Sequence, residues 1–192
     1  MRKFISILML ATLAVLLVTF TSAQEKKPIE PPTPAGKSYQ EMLWAWNLFE
    51  GRVITMAEDF PEDKYNFKAQ KDERTFGDNL LHIAEVNYEM ISSIKGTAMG
   101  HTGSLDSLRK MFSTKADIVK FLKQSVADGG ELIKVQGDSG LTREFKHPWA
   151  NQMVHGSLGW TNILVHASDH YGQLVVYYRL NGMIPPESRP RK

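Results

Sequence analysis

The sequence predicts an all-α protein: a four-helix bundle with a long crossover between its second and third helices. Three observations carry this expectation. Four segments repeat apolar side chains at three- and four-residue intervals, the period of a helix with one buried face. No segment alternates apolar and polar residues convincingly over the length of a strand. The connection between the second and third segments, residues 96–112, is long enough to cross the end of a bundle, so those two helices need not be antiparallel neighbours. No internal repeat is visible.

The chain begins Met1-Arg2-Lys3, runs mostly apolar over residues 4–20, and reaches small residues at Thr21-Ser22-Ala23. A basic start, an apolar stretch and a small-residue exit are expected of a secretory signal peptide, residues 1–23, cut after Ala23. The expected address is periplasmic or secreted. An uncleaved leader, the alternative for an apolar run of this length, would make the chain membrane-anchored. Residues 24–37 carry Pro28, Pro31, Pro32 and Pro34 and read as an extended tether. One domain is expected over residues 38–187, followed by a basic tail, residues 188–192.

Removal of the leader leaves 169 residues, enough for one sizeable core. Of the 23 basic residues two lie in the leader, so the remainder carries 21 basic and 21 acidic residues and no net charge. That excludes a nucleic-acid binder driven by a basic surface, and gives no reason to expect an anionic membrane as partner. There is no cysteine. Disulfides, thiolate-ligated metals, a cysteine nucleophile and lipid attachment through an N-terminal cysteine are all excluded.

The first helix is expected over about residues 39–58, with Ser38 as N-cap and Glu41 completing a capping box. Trp46, Phe49, Val53 and Met56 share its core face, and Asn47 reads as a hydrogen-bonded amide near that face. Pro61 ends it, and residues 61–74 form a charged loop. Thr75 caps a second helix over about 76–95, in which His82 lies between apolar neighbours. Asp78, Glu85 and Glu89 flank it at helical spacing, as a solvated acidic edge or as partners of the imidazole. His101, in the glycine-containing connection, reads as exposed. Ser113 caps the third helix, about 114–135, where Gly129-Gly130 should weaken or kink it. Residues 136–151 read as a loop, with 141–146 able to form a short extended piece. The last helix runs from near Met153 to Leu180 and stops at Asn181-Gly182, before Pro185-Pro186.

Chemistry concentrates in that last helix. His166 and His170 are four residues apart and so share a face. The seam they continue, through Ile163, Gln173, Tyr177 and Leu180, has roughly heptad spacing, which points them into the bundle. By itself a His-x3-His pair is more often two capped or half-exposed histidines than a metal site. His82, on another helix, changes the balance: two helices then offer three neutral imidazoles to one point. Three nitrogens without a fourth protein ligand leave a position for water or substrate, as in catalytic rather than structural zinc sites. His155 is a poor member, about 16 Å from His166 along a continuous helix. Imidazoles suit zinc, nickel, copper and iron alike, so the donor set does not select the metal.

These residues also carry a resemblance. Asn79-Leu80-Leu81-His82-Ile83-Ala84, together with the run from His166 through Ala167-Ser168-Asp169-His170-Tyr171-Gly172-Gln173 to Leu174, resembles the DinB-like (DNA-damage-inducible) metalloenzyme family. The ending Tyr178-Arg179-Leu180-Asn181-Gly182, followed by Ile184-Pro185-Pro186, and Ala45-Trp46-Asn47 in the first helix are similar too. The resemblance implies a four-helix bundle, often dimeric, with a divalent ion (zinc, nickel, iron or manganese) on His82, His166 and His170. It implies a small-molecule substrate; related bundles include transferases using low-molecular-weight thiols and a thiol-dependent isomerase. Where the family commonly has arginine before Gly-Gln, this chain has Tyr171. The expected function is therefore a metal-dependent transferase or hydrolase. Gln173, Glu85 and Asp169 are its candidate catalytic residues, to orient substrate or water or to act as base. The alternative is a non-catalytic exported bundle that uses the metal for ligand binding or stability. A third reading leaves the histidines as core residues of an interaction domain.

Overall fold

The computed structural model describes residues 36–98 and 104–190. The expected leader, most of the tether and His101 lie outside them. Among the described residues are five α-helices: α1 (Ser38–Asp59), α2 (Phe76–Lys95), α3 (Leu105–Met111), α4 (Lys115–Thr142) and α5 (Gly156–Leu180). Two three-residue strands, β1 (Glu144–Lys146) and β2 (Met153–His155), form an antiparallel pair with Phe145 opposite Val154. The protein is mostly helical, as expected.

Contacts fix how the four long helices run. Tyr39 N–H donates to Asp138 at 2.8 Å, and Trp46 Nε1 to the Val126 carbonyl at 2.9 Å, so α1 and α4 are antiparallel. Asn79 Nδ2 donates to Tyr177 Oη at 3.2 Å, and Met90 lies against Gly159, so α2 and α5 are antiparallel. Asn87 meets Ser125, and Tyr88 Oη donates to Asp128 at 3.0 Å, so α2 and α4 run the same way. The long connection makes that parallel pairing reachable. It also holds α3, whose Arg109 clamps Asp78 through two 2.6 Å bonds. A helix this short carries too little periodicity to stand out in sequence.

The helix ends follow local chemistry. Thr75 and Asp78 form a reciprocal capping box at α2, and Thr114 with Asp117 does the same at α4, one residue beyond the expected Ser113. At α1 the cap is Lys37, whose N–H donates to Gln40 Oε1 at 3.0 Å, instead of the expected Ser38–Glu41 box. At the end of α5, Gly182 N–H reaches Arg179 and Met183 N–H reaches Tyr178, both at 3.0 Å, with Gly182 at φ 70°. This is the paired motif in which a left-handed glycine satisfies the last carbonyls.

Two layers of aromatic packing fill the core. Trp46 and Trp160 meet edge to face with centroids 5.4 Å apart. At the other end Phe60 stacks on Phe76 at 3.8 Å, and Tyr178 tilts onto Phe60 at 5.0 Å.

Several expectations need correction. The Gly129-Gly130 pair does not kink α4. A Cβ on Gly129 would lie 2.4 Å from Trp46 Cζ2, so the pair makes room for the indole. The break comes at Gly137, at φ 57° and ψ −155°, a conformation glycine adopts without steric cost. The helix start expected near Met153 comes at Gly156, because Met153–His155 is strand. Asn47 is exposed rather than a core amide. The inward polar side chain of α1 is Glu50, fully buried, with neither carboxyl oxygen hydrogen-bonded among the described residues.

Two predictions follow from this packing. Gly129→Ala is expected to cost ~1–3 kcal/mol through overpacking against Trp46. Gly51→Ala, in α1 with nothing within 4 Å of a new Cβ, is expected to gain up to ~1 kcal/mol. Urea denaturation of both measures the contrast, and equal effects would refute the tight Trp46 contact. Burial pushes the Glu50 carboxyl up to about 8, against a smaller lowering from Asn87. The fold prefers it protonated, so its contribution is intact below its ordinary value of 4.5 and lost as pH rises toward 8. Glu50→Gln is expected to gain on the wild type progressively across that window. A difference independent of pH would show that the carboxyl is compensated.

Candidate functional site

Residue spacing brings the three histidines together. On α5 the buried stripe runs Ile163, Ala167, His170, Leu174 and Tyr177, at intervals of four, three, four and three. His170 sits in this stripe and is only 5 % exposed. His166, one turn earlier, is half-buried at its edge. The expected seam was displaced at its C-terminal end, where Gln173 and Leu180 are exposed and Leu174 is buried. On α2, His82 is half-buried between Leu81 and Ile83, which are both in the core.

The antiparallel crossing of α2 and α5 completes the cluster. His82 Nε2 and His166 Nε2 are 3.2 Å apart. Ring centroids are 5.0 Å apart for His82–His166 and His82–His170, and 4.5 Å for His166–His170. One nitrogen from each ring can be chosen so that all three lie within 4.8 Å of one another. Two imidazoles on one tetrahedral ion, each ~2.0–2.1 Å from it, would place their nitrogens ~3.3 Å apart. The observed separation fits, and the group could hold a metal ion. Nδ1 of His166 and of His170 is buried without a hydrogen-bond partner among the described residues.

The rings are held neutral, the state that ligates. Burial lowers His82 to about 4, with Arg74 and His170 adding to it. Burial lowers His166 to about 3, with His170, His82 and Arg74 adding. His170 is lowered by burial and by Arg74, opposed by Gln173 and Asp169.

The other candidates separate. Gln173 is exposed, lines a cleft beside the cluster and interacts with the His170 ring. Glu85 is half-buried, its carboxyl raised by burial and by Glu89 and lowered by Arg74. Asp169 is exposed and acts on His170 only through its charge. Asp78 is engaged by Arg109, and Glu89 accepts the Trp149 Nε1–H at 2.8 Å. His155 caps α5, 3.8 Å from Glu144. His147 is buried, its Nδ1 accepting the Trp149 and Ala150 amides. Sequence reasoning passed over Arg74, a loop residue whose charge is felt by all three rings. Loops have no periodicity to mark such a residue.

The fold and site thus define a helical protein with a three-imidazole cluster between an N-terminal-half helix and the last helix. The chain belongs to the DinB superfamily, whose family model matches residues 19–174. It is similar in structure to a DinB-like protein from Bacillus cereus ATCC 10987, at TM-score 0.66 and 16 % identity, over 77 % of this chain and 95 % of that one. It is also similar to an uncharacterised protein from Escherichia coli UTI89, at TM-score 0.56 and 18 % identity, over 77 % and 96 % of the respective chains. At these identities the likeness concerns the fold. No curated protein matches the sequence.

The neutral cluster predicts an acid limit. All three folded values are lowered, so the unfolded chain takes up protons near 6.5 while the folded rings do not. Stability is therefore lost as pH falls from 6.5 toward 4. His166→Gln, measured by urea denaturation with a chelator present, is expected to flatten that slope. An unchanged slope would mean that other groups control it.

Proposed function

We propose that this chain is an exported DinB-like four-helix bundle that acts as a metal-dependent transferase or hydrolase on a small molecule. His82, His166 and His170 would hold one divalent ion, zinc, nickel, iron or manganese, with a position left open. The observation that carries this reading is the convergence of three neutral imidazoles from two helices, two of them at a separation suited to a shared ion. A divalent ion bound there would act as a Lewis acid and lower the pKa of a water or thiol.

The chain's own groups have defined tasks in this reading. Burial keeps the rings unprotonated for ligation. Gln173, one turn from His170 and open to the cleft, orients the substrate or the attacking group. Glu85 is the better placed proton acceptor, since it is half-buried with its carboxyl raised by burial and by Glu89, whereas Asp169 is exposed. Export rests on residues 1–23, outside the described residues. Among the described residues no helix is long and apolar enough to cross a membrane. A homodimer has an available surface in Leu158 and Val165, both exposed on α5.

The decisive measurement is elemental analysis of the mature chain without a histidine tag, beside a His82→Ala/His170→Ala variant. About one equivalent of a transition metal, lost in the variant, is the expected result. Turnover of a thiol conjugate, ester or amide should then disappear in His170→Ala with the fold intact. Metal-free wild type that also refuses added zinc and nickel would overturn the proposal.

A further inference from the structure

A cleft of about 580 Å³ opens beside the histidines, lined by Asp72, Glu73 and Arg74 of the loop before α2 and by Asn79, Gln173, Val176 and Tyr177 of the helices. Asn79 and Gln173 lie one helical turn from His82 and His170, which puts the cleft next to the imidazoles, though none of the three lines it. The loop wall carries three consecutive charged side chains, and their fields reach different places. Glu73 acts on Tyr177. Arg74 acts on His82, His166 and His170 and on Glu85. Only the guanidinium of this wall is felt at the cluster.

Arg74 is also well anchored. Its carbonyl accepts the Tyr177 hydroxyl, and the next residue, Thr75, caps α2 and pairs with Lys68. Its side chain is exposed, and among the described residues no carboxylate forms an ion pair with it. An arginine fixed at the backbone, with its fork unclaimed and facing a cleft, is suited to bidentate capture of a carboxylate. Three imidazoles bring no negative charge to a divalent ion, so an anionic ligand would be favoured there as well.

We propose that Arg74 is a specificity residue that holds a carboxylate of a small ligand whose other end lies at the three histidines. The substrate class is then a small molecule with a metal-binding group and a carboxylate a few atoms apart. The inference rests on the metal-site reading above. Gln173, exposed in the cleft, supplies an amide between the two ends, whereas the Asn79 amide is spent on the Thr75 carbonyl and the Tyr177 hydroxyl.

The test uses the mature chain loaded with cobalt(II), as wild type, Arg74→Gln and Arg74→Lys. Two thiols serve as probes, mercaptosuccinate with carboxylates and thioglycerol without, and binding is read from the thiolate-to-cobalt absorbance. The wild type is expected to prefer mercaptosuccinate. Arg74→Gln should weaken mercaptosuccinate by ~10-fold or more while leaving thioglycerol unchanged, with Arg74→Lys in between. A preference that survives in Arg74→Gln would overturn the assignment, because the metal charge alone would explain it. Equal weakening of both probes would also overturn it, as a general field and not a contact. Failure of the wild type to take up cobalt would overturn the metal-site reading itself, a result distinct from either.

Discussion

The indole of Trp46 is the contact on which the arrangement of helices depends. It is fully buried on α1, lies flat against Gly129 of α4, donates its N–H to Val126 and meets Trp160 of α5 edge-on. One side chain therefore sets the spacing of three helices. The glycine is part of the contact, since a side chain at 129 would occupy the volume of the ring. The position of α5 matters most for chemistry, because it carries two of the three histidines. The Trp46–Trp160 contact fixes the N-terminal part of α5, and the Tyr177 and Tyr178 hydroxyl bonds fix its other end. The His166–His170 turn is held between these two anchors.

The interior also contains polar groups that ordinary packing would exclude. Glu50, Asn87 and Ser125 are fully buried, and His170 nearly so. Burial favours the uncharged form of each titratable group, which leaves Glu50 protonated and the imidazoles free of protons. The two kinds of group respond oppositely to pH. Rising pH works against the buried acid and falling pH against the buried bases. A core with both is most stable in a middle range, where each is neutral at the least cost.

How much was legible in the sequence depended on whether the signal was periodic. The four long helices and the inward direction of His82, His166 and His170 were legible, because apolar residues at helical intervals define a face and the histidines share it. Glu50 was not, although it shares that face with Trp46, Val53 and Met56, because a glutamate at such a position is usually solvated. Gly129 read as a weakness because sequence cannot show that a ring on another helix needs the space. The hairpin was only half-read because three-residue strands are too short to alternate. Arg74 was missed because its importance comes from where a loop is carried by its neighbours.

The pairing of α1 has a consequence for how the chain acquires its structure. The main neighbours of α1 are α4 and α5, the last two long helices made. Its aromatic face is covered first by α4, around Val126 and Gly129, and completed only when Trp160 of α5 is present. Contacts of such long sequence separation close late and make folding slower than in bundles of adjacent hairpins. A nascent chain of this order stays open until it is nearly complete. If the chain is exported as proposed, late closure keeps it threadable for as long as it is being made.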